Sequence, residues 1–538
     1  MISTPFSIRY AAFLILLLSV TAALTLLPGE IVITRLEGDL MHTLSASQRM
    51  AGGEMPHLDF MTPLGVLAFA PVALWLSQGF FLGKAILLAD AMMAAILLPA
   101  IWWIGLSRLS KAQAYYFGAL VVVLLMAVTN GNGSSFIVLA LHYNRWAWAL
   151  AFVVLAAVLF PPKVNMGERW VAPVLIGGGM AALAMLKMTF FVTMAPAILI
   201  ILLTQKRYVS AIRALIAGAG VAAILVAFLG VDFFIAYFDD LYTVTKANSG
   251  RTAPWESFSI VVAGSFSILG MAVMFGALMV FRKSGNMAQG LVMLLLMPVF
   301  SYITYQNWGN DPKWMLIVVL YLWVQLPAEG EIGSFGLPAK QSIMVLAVVG
   351  AVTIFPTAFS LVLSPVRAAL IPRDSYVLIE NPPMAADIRV KERQLSYVGM
   401  SGPFEGMPSL QPREEPIEIN GFTFPDCQSN VTAIPMAAAM TAQVEQLEML
   451  QGQPVLTADS LDINWLFGDL TRVQGAAPWY YGDDAGFENA AFLLVPICPL
   501  GQKRRRSMVL QFQNAGYVLT EVYRSSLLVL YEVAKPVE

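Results

Sequence analysis

Apolar residues in this chain come in long unbroken blocks rather than alternating with polar ones. A helix needs about 20 apolar residues to cross ~30 Å of hydrocarbon. Eleven blocks approach that length: Tyr10–Leu27, Lys84–Leu106, Ala112–Val128, Arg145–Phe160, Trp170–Leu186, Met188–Leu203, Ala211–Gly230, Phe258–Phe281, Gln289–Ile303, Trp314–Leu326 and Ser342–Leu363. The pattern predicts a polytopic α-helical membrane protein with about eleven transmembrane helices. Arg9 followed by Ala11–Leu27 has the shape of a signal peptide. Without an evident small-residue cleavage site, and with many spans after it, the segment reads as the first membrane helix.

A further apolar stretch, Pro63–Trp75, is short and carries Pro63 and Pro71. Charge decides whether it crosses. If it does not, the loops with Arg108 and Lys111, Lys163 and Arg169, Lys206, Arg207 and Arg213, and Arg282 and Lys283 all face the cytoplasm. This agrees with the enrichment of Lys and Arg in cytoplasmic loops. The acidic residues Glu30, Glu37, Asp39, Glu54, Asp59, Asp232, Asp239, Asp240 and Asp311 then all lie outside. The segment is therefore expected to form a juxtamembrane helix, residues 63–77, within a long first outer loop, residues 28–83.

An odd number of crossings places the C-terminus outside. Composition shifts near Arg367, dividing the chain into a membrane domain, 1–363, and a C-terminal domain, 364–538. Strands are expected at Pro454–Ala458, Ala491–Pro496, Tyr517–Glu521 and Leu527–Glu532, and helices at Leu461–Leu470 and Met508–Ala515. That alternation predicts a small α/β layer. Cys427 and Cys498 both fall here; an oxidising compartment permits a disulfide, and two free thiols are the alternative.

Composition excludes an ordinary soluble domain. Of the 538 residues, 58% are hydrophobic and 12% charged, against roughly 25% charged in a typical globular chain. A net charge of −2 gives no basic footprint for nucleic acid. The chain has no internal repeat, no His/Cys group with zinc spacing, no phosphate-cradling glycine loop and no defensible Ser-His-Asp pattern.

The chemistry-bearing segment is the first outer loop. It carries Glu37, Asp39 and Asp59 and two of the three histidines, His42 and His57. Asp39, His42 and Ala46 stand at i, i+3 and i+7, one face of a helix that Gly52 and Gly53 would end. A solvated loop is the plain alternative. Lys187, between two apolar blocks, either serves an anion or snorkels to the interface. Arg145 is a second cation on that side, or a topology signal. His142, Tyr143 and Asn144 precede it, and Asp90 lies near the outer end of a predicted span. The Asp232–Glu256 loop has Phe233, Phe234, Tyr237 and Phe238 beside Asp239 and Asp240, as in an interfacial amphipathic helix. The loop from Gln306 to Lys313, with Asn310 and Asp311, has the polar and aromatic character of a sugar site, or of an interfacial anchor. Lys503–Arg506 reads as a solvated basic turn.

Several of these residues resemble the first periplasmic loop of the GT-C glycosyltransferases, the superfamily of protein O-mannosyltransferases and bacterial lipid-sugar transferases. The matching positions are Asp39 soon after the first helix, then Ala46, Met50, Gly53 and Pro56, then Asp59-Phe60 and Pro63-Leu64-Gly65. Gly177-Gly178-Gly179 through Lys187-Met188-Thr189 is similar to a junction between two short helices in that superfamily. The resemblance covers roughly the first 230 residues. It implies a GT-C-like membrane domain with the C-terminal domain in the periplasm of a bacterial inner membrane. It also implies transfer of a sugar from a polyprenyl-phosphate donor to a glycan, lipid or protein hydroxyl.

In that reading a first-loop carboxylate is the base, Asp39 or Glu37, because the family often has two adjacent acids and here Gly38 separates them. Asp59 would orient the acceptor or hold a metal. Lys187 and Arg145 would hold the donor phosphate, and His42, His57, His142, Asn310 and Asp311 would contact substrate. No cofactor is certain, and a divalent metal is compatible. A transporter of lipid-linked glycans is the competing class, although repeated halves with broken mid-membrane helices, as such proteins carry, are not evident. A non-catalytic scaffold is a third.

Overall fold

The computed structural model describes residues 4–131, 133–246, 258–306, 312–395, 400–401, 417–429 and 432–535. Helices dominate. They are α1 Thr4–Leu26, α2 Glu37–Ala51, α3 Ala70–Ser77, α4 Leu82–Arg108, α5 Lys111–Met126, α6 His142–Leu159, α7 Glu168–Leu186, α8 Met188–Thr204, α9 Tyr208–Leu229, α10 Val231–Lys246, α11 Phe258–Ala263, α12 Ser265–Lys283, α13 Met287–Gln306, α14 Trp314–Val324, α15 Ala339–Leu370, α16 Ala433–Val444 and α17 Gln502–Asn514. Seven are long and apolar enough to cross a membrane: α1, α4, α7, α9, α12, α13 and α15. This is the architecture of a multi-pass membrane protein. The other expected spans are helical as well. However, α5, α8 and α14 are short, and α6 begins with the polar run His142-Tyr143-Asn144-Arg145.

The helices differ in what surrounds them. Every residue of α6 is buried, including Trp146 and Trp148, so this helix is the centre of the bundle. By contrast α9 and α15 expose apolar rows, Ile212, Leu215, Ile216 and Phe228 on one and Val345, Val348, Val352 and Phe355 on the other. Such rows suit a lipid-facing surface. α7 and α9 cross almost backbone to backbone. A Cβ on Gly177 would lie 2.0 Å from the Ala214 carbonyl oxygen, as small residues permit at membrane helix crossings.

α7 and α8 meet at Lys187 and both run back along α6. Gly179 lies against Val154, and Phe190 makes an edge contact with Trp148 at 4.9 Å. At this end of the bundle the segment 63–77 forms a short 3-10 turn, Val66–Ala68, and then α3. The eight residues of α3 span about 12 Å, less than the thickness of a hydrocarbon core. Gly65 is obligatory there, since a Cβ would meet the Met185 carbonyl at 2.0 Å.

The composition boundary near residue 364 does not separate two independent bodies. α15 continues to Leu370, and the following chain returns to the first loop. Ile388–Val390 sits between Ile31–Val32, in parallel, and Val377–Leu378, antiparallel. Asp387 accepts hydrogen bonds from the N–H groups of Gly83 (3.0 Å) and Lys84 (2.6 Å), capping the start of α4. Fully buried Arg49 of α2 donates to the Val473 carbonyl (3.2 Å) and pairs with Glu54 (3.5 Å). Ala433, Ala437, Leu461, Ile463 and Phe467 join the same hydrophobic core as the membrane helices.

The C-terminal part is an α/β layer built on a four-stranded sheet. Strand Phe492–Pro496 pairs in parallel with Val455–Thr457 and antiparallel with Leu528–Ala534, which pairs with Val518–Arg524. Two short ladders, Met400–Ser401 with Gln428–Ser429 and Glu418–Ile419 with Phe422–Thr423, flank it. Cys427 and Cys498 form a disulfide.

Two expectations fail here. Leu461–Leu470 is not a helix beyond the single turn Asn464–Leu466, because its apolar residues are pinned against α2 and α16. Lys503–Arg506 is not a solvated turn but the first turn of α17. Within it Arg505 is 1% exposed and donates to the Pro496 carbonyl at 2.9 Å.

Candidate functional site

α2 starts at Glu37 and ends at Gly52, where Gly53 takes φ +96°. Asp39 and His42 lie on the side facing the C-terminal part. The His42 ring meets Trp479 edge-on at 5.8 Å and Phe69 at 5.9 Å. Burial lowers His42 to about 4, so it is a neutral ring. Asp39 is partly buried, and its carboxylate has no side-chain partner among the described residues. Burial, with the neighbouring Glu37 charge adding to it, raises Asp39 to about 6. Glu37, a helical step away, is engaged by the Gln394 side-chain amide at 2.9 Å. Of the two acids, Asp39 alone lies within electrostatic reach of Tyr143 and Tyr481.

The start of α6 supplies the next groups. Lys187 donates a 2.6 Å hydrogen bond to the Asn144 side-chain carbonyl and lies 5.5 Å from the centroid of the Tyr143 ring. His142 does not join them. It is fully buried, and its Nε2–H donates to the Ala68 carbonyl at 3.0 Å, bracing the juxtamembrane segment. Arg145 turns inward to Asp90 (3.3 Å), whose other oxygen accepts from Trp146 Nε1 (2.6 Å). Both members of this pair are almost wholly buried. Asp90 therefore does not face water, and the geometry gives Arg145 a structural partner in the bundle interior rather than a place beside Asp39.

The two remaining first-loop candidates fix the loop itself. Asp59 accepts a 2.7 Å bond from the Met55 N–H, and its carbonyl accepts from Gly475 at 2.8 Å. His57 Nδ1 lies 2.8 Å from Asp240 Oδ2, which also accepts from the Thr62 N–H at 3.0 Å. Asp240 belongs to α10, the amphipathic helix expected after Asp232. One face, with Phe233 and Tyr237, is buried, and the Tyr237 hydroxyl donates to the Ala184 carbonyl at 2.7 Å. The other exposes Ile235, Phe238 and Tyr242. Asn310 and Asp311, and residues 247–257, lie outside the described residues.

Sequence reasoning missed the contribution of the C-terminal part. Tyr481 packs with Met61 of the first loop and beside Val244 of α10. Arg504 stands 5.5 Å from the Trp479 ring centroid and donates to Ser460 Oγ at 2.7 Å. Asp483, raised to about 6 by burial with Asp240 and Asp484 adding to it, completes an acidic rim. These residues lie more than 400 positions from Asp39, and only the local run Trp479-Tyr480-Tyr481-Gly482-Asp483 hints at a site. Leu36 and Leu141, which start α2 and α6, and His57 all take left-handed φ of 63°, 63° and 73°. Each such residue costs of order 1–3 kcal/mol, and all three flank this cluster.

The arrangement brings the Asp39 carboxyl within electrostatic reach of Tyr143 and Tyr481 and sets the Lys187 nitrogen 5.5 Å from the Tyr143 ring centroid. A metal would have to draw on fewer than three protein ligands or on other ligand types, since no group of three or more His, Cys, Asp or Glu side chains converges among the described residues. No family model, curated protein or solved structure matches the chain.

Proposed function

We propose that this protein is a GT-C-like glycosyltransferase with about eleven transmembrane helices, acting at the periplasmic face of a bacterial inner membrane. Its donor is a polyprenyl-phosphate sugar, and its acceptor is a hydroxyl of a glycan, lipid or protein. The observation that carries the reading is the Asp39 carboxyl, raised to about 6 and within electrostatic reach of Tyr143, whose ring centroid lies 5.5 Å from the Lys187 nitrogen.

The chemistry needs little more. The Asp39 carboxylate takes the proton of the acceptor hydroxyl as its oxygen lone pair attacks the anomeric carbon. The bond from that carbon to the phosphate oxygen breaks, and its electron pair leaves with the polyprenyl phosphate. Asp39 then returns the proton to water. Phosphate is a stable anion, so the leaving group requires no acid. It does gain from a nearby positive charge, which Lys187 in its protonated form would supply. A carboxylate with a pKa near the working pH is an effective base. The exposed apolar face of α10 suits a lipid chain entering beside the cluster.

Replacing Lys187 with Gln and measuring affinity for a polyprenyl phosphate in detergent, alongside sugar transfer in membranes, tests the assignment. Loss of both supports it, and unchanged affinity with unchanged transfer opposes it.

A further inference from the structure

Two tyrosines, one from each half of the chain, lie within electrostatic reach of Asp39. Tyr143 and Tyr481 are each 8% exposed, and neither hydroxyl is hydrogen-bonded among the described residues. They are also within reach of one another. Neither hydroxyl oxygen is among the fully buried polar atoms that lack a partner, so both are open to a ligand from outside the protein.

The neighbouring residue shows what this fold does with a phenol it needs for packing. The Tyr480 hydroxyl is bonded to Ser507 Oγ (3.1 Å) and Gln511 Oε1 (3.0 Å) inside the C-terminal part. The side chain of Tyr481 leaves that core and packs against Met61.

Resting on the glycosyltransferase reading, we propose that Tyr481 and Tyr143 form a saccharide-binding pair over Asp39. The C-terminal domain thereby supplies half of the site that holds the reacting sugar hydroxyl. A phenol both donates and accepts, which suits a ligand dense in hydroxyls. Two phenols flanking a carboxylate give a hydroxyl-bearing ring three directed contacts. Arg504 beside Tyr481, and the Asp240 and Asp483 carboxylates around it, extend the polar wall on the same side. The occupant this chemistry recognises is an uncharged or weakly charged sugar ring, and the apolar lipid tail is left to the helices.

The test compares three single substitutions in the full-length protein in membranes of the producing cell, which supply both substrates: Tyr481→Phe, Tyr480→Phe and Asp39→Asn. Sugar transfer per molecule of protein and the thermal midpoint of the purified protein are both read. Tyr481→Phe is expected to slow transfer about tenfold or more, the weight of one directed hydrogen bond, with the midpoint unchanged. Tyr480→Phe is expected to lower the midpoint and keep transfer within about twofold. Transfer by Tyr481→Phe at the wild-type rate, while Asp39→Asn is inactive, overturns the saccharide pair and leaves the base assignment standing. A slowed Tyr481→Phe with a lowered midpoint like that of Tyr480→Phe also overturns it, since the hydroxyl then serves the fold. Wild-type transfer by Asp39→Asn removes the reading on which the pair rests.

Discussion

The Lys187 ammonium donates to the Asn144 side-chain carbonyl at 2.6 Å, joining the apex of α7 and α8 to the first turn of the central helix. The contact fixes the lysine side chain at the start of α6, on the residue next to Tyr143. Lys187→Gln keeps a polar group and removes the charge. Transfer is expected to fall by about 10²–10³-fold, as when a donor to a developing anion is lost. Asn144→Ala, which frees the lysine to move, is expected to have a smaller effect. Initial rates at matched expression check both.

Asp39 predicts a pH dependence with a definite sign. A base must be unprotonated, so the rate is expected to fall as pH drops through about 6 and to level off above it. Stability runs the other way. The carboxyl is raised from 3.8 to about 6, so between those values the folded state binds more protons than the unfolded state. Its contribution to stability is therefore greatest at low pH and is lost as pH rises through the window. Asp39→Asn is expected to remove this slope and to gain roughly 1–3 kcal/mol at pH 7. Thermal unfolding of both proteins from pH 4 to 8 measures it.

The buried pair of Arg145 and Asp90 is expected to support the fold. Asp90→Asn keeps an acceptor for Trp146 and leaves the guanidinium buried without its counter-charge, a loss of about 3–5 kcal/mol. Adding Arg145→Met is expected to recover more than half of that. Were Arg145 to hold the donor phosphate, Arg145→Met alone would abolish transfer with stability unchanged. Thermal midpoints and transfer rates of the single and double variants decide.

Gly65 packs against the backbone of Met185 in α7, two residues before Lys187. Gly65→Ala drives a Cβ to 2.0 Å from the Met185 carbonyl, and backbone must move. A cost of about 1–3 kcal/mol is expected, with transfer reduced through displacement of Lys187. Equal stability and equal rate would mean that this junction is loose.

Legibility in the sequence followed the range of the interactions. Blocks of apolar residues marked every long helix because lipid-facing and core-facing helices both demand them. The shortness of the helix in Pro63–Trp75 was readable from Pro63 and Pro71. Asp39 and His42 fall on one face because helical spacing is local. What local pattern could not carry was pairing at long range. Nothing around Asp90 announces Arg145, 55 residues away, and nothing around Asp39 announces Tyr481. The helix expected over Leu461–Leu470 is confined to the single turn Asn464–Leu466. Packing against α2 and α16 set its course instead. α16 itself was not expected, as its Ala-rich stretch is too short to span and carries Pro435.

The most direct measurement is sugar transfer by Asp39→Asn in membranes, at expression matched to wild type. The substitution nearly preserves size and removes the base. A loss of around a hundredfold or more is expected, given general-base contributions of about 10²–10⁴, with affinity for polyprenyl phosphate retained. Transfer at the wild-type rate would contradict it and move the base to Glu37. If Glu37→Gln were equally silent, carriage of a lipid-linked glycan would replace transfer as the leading reading.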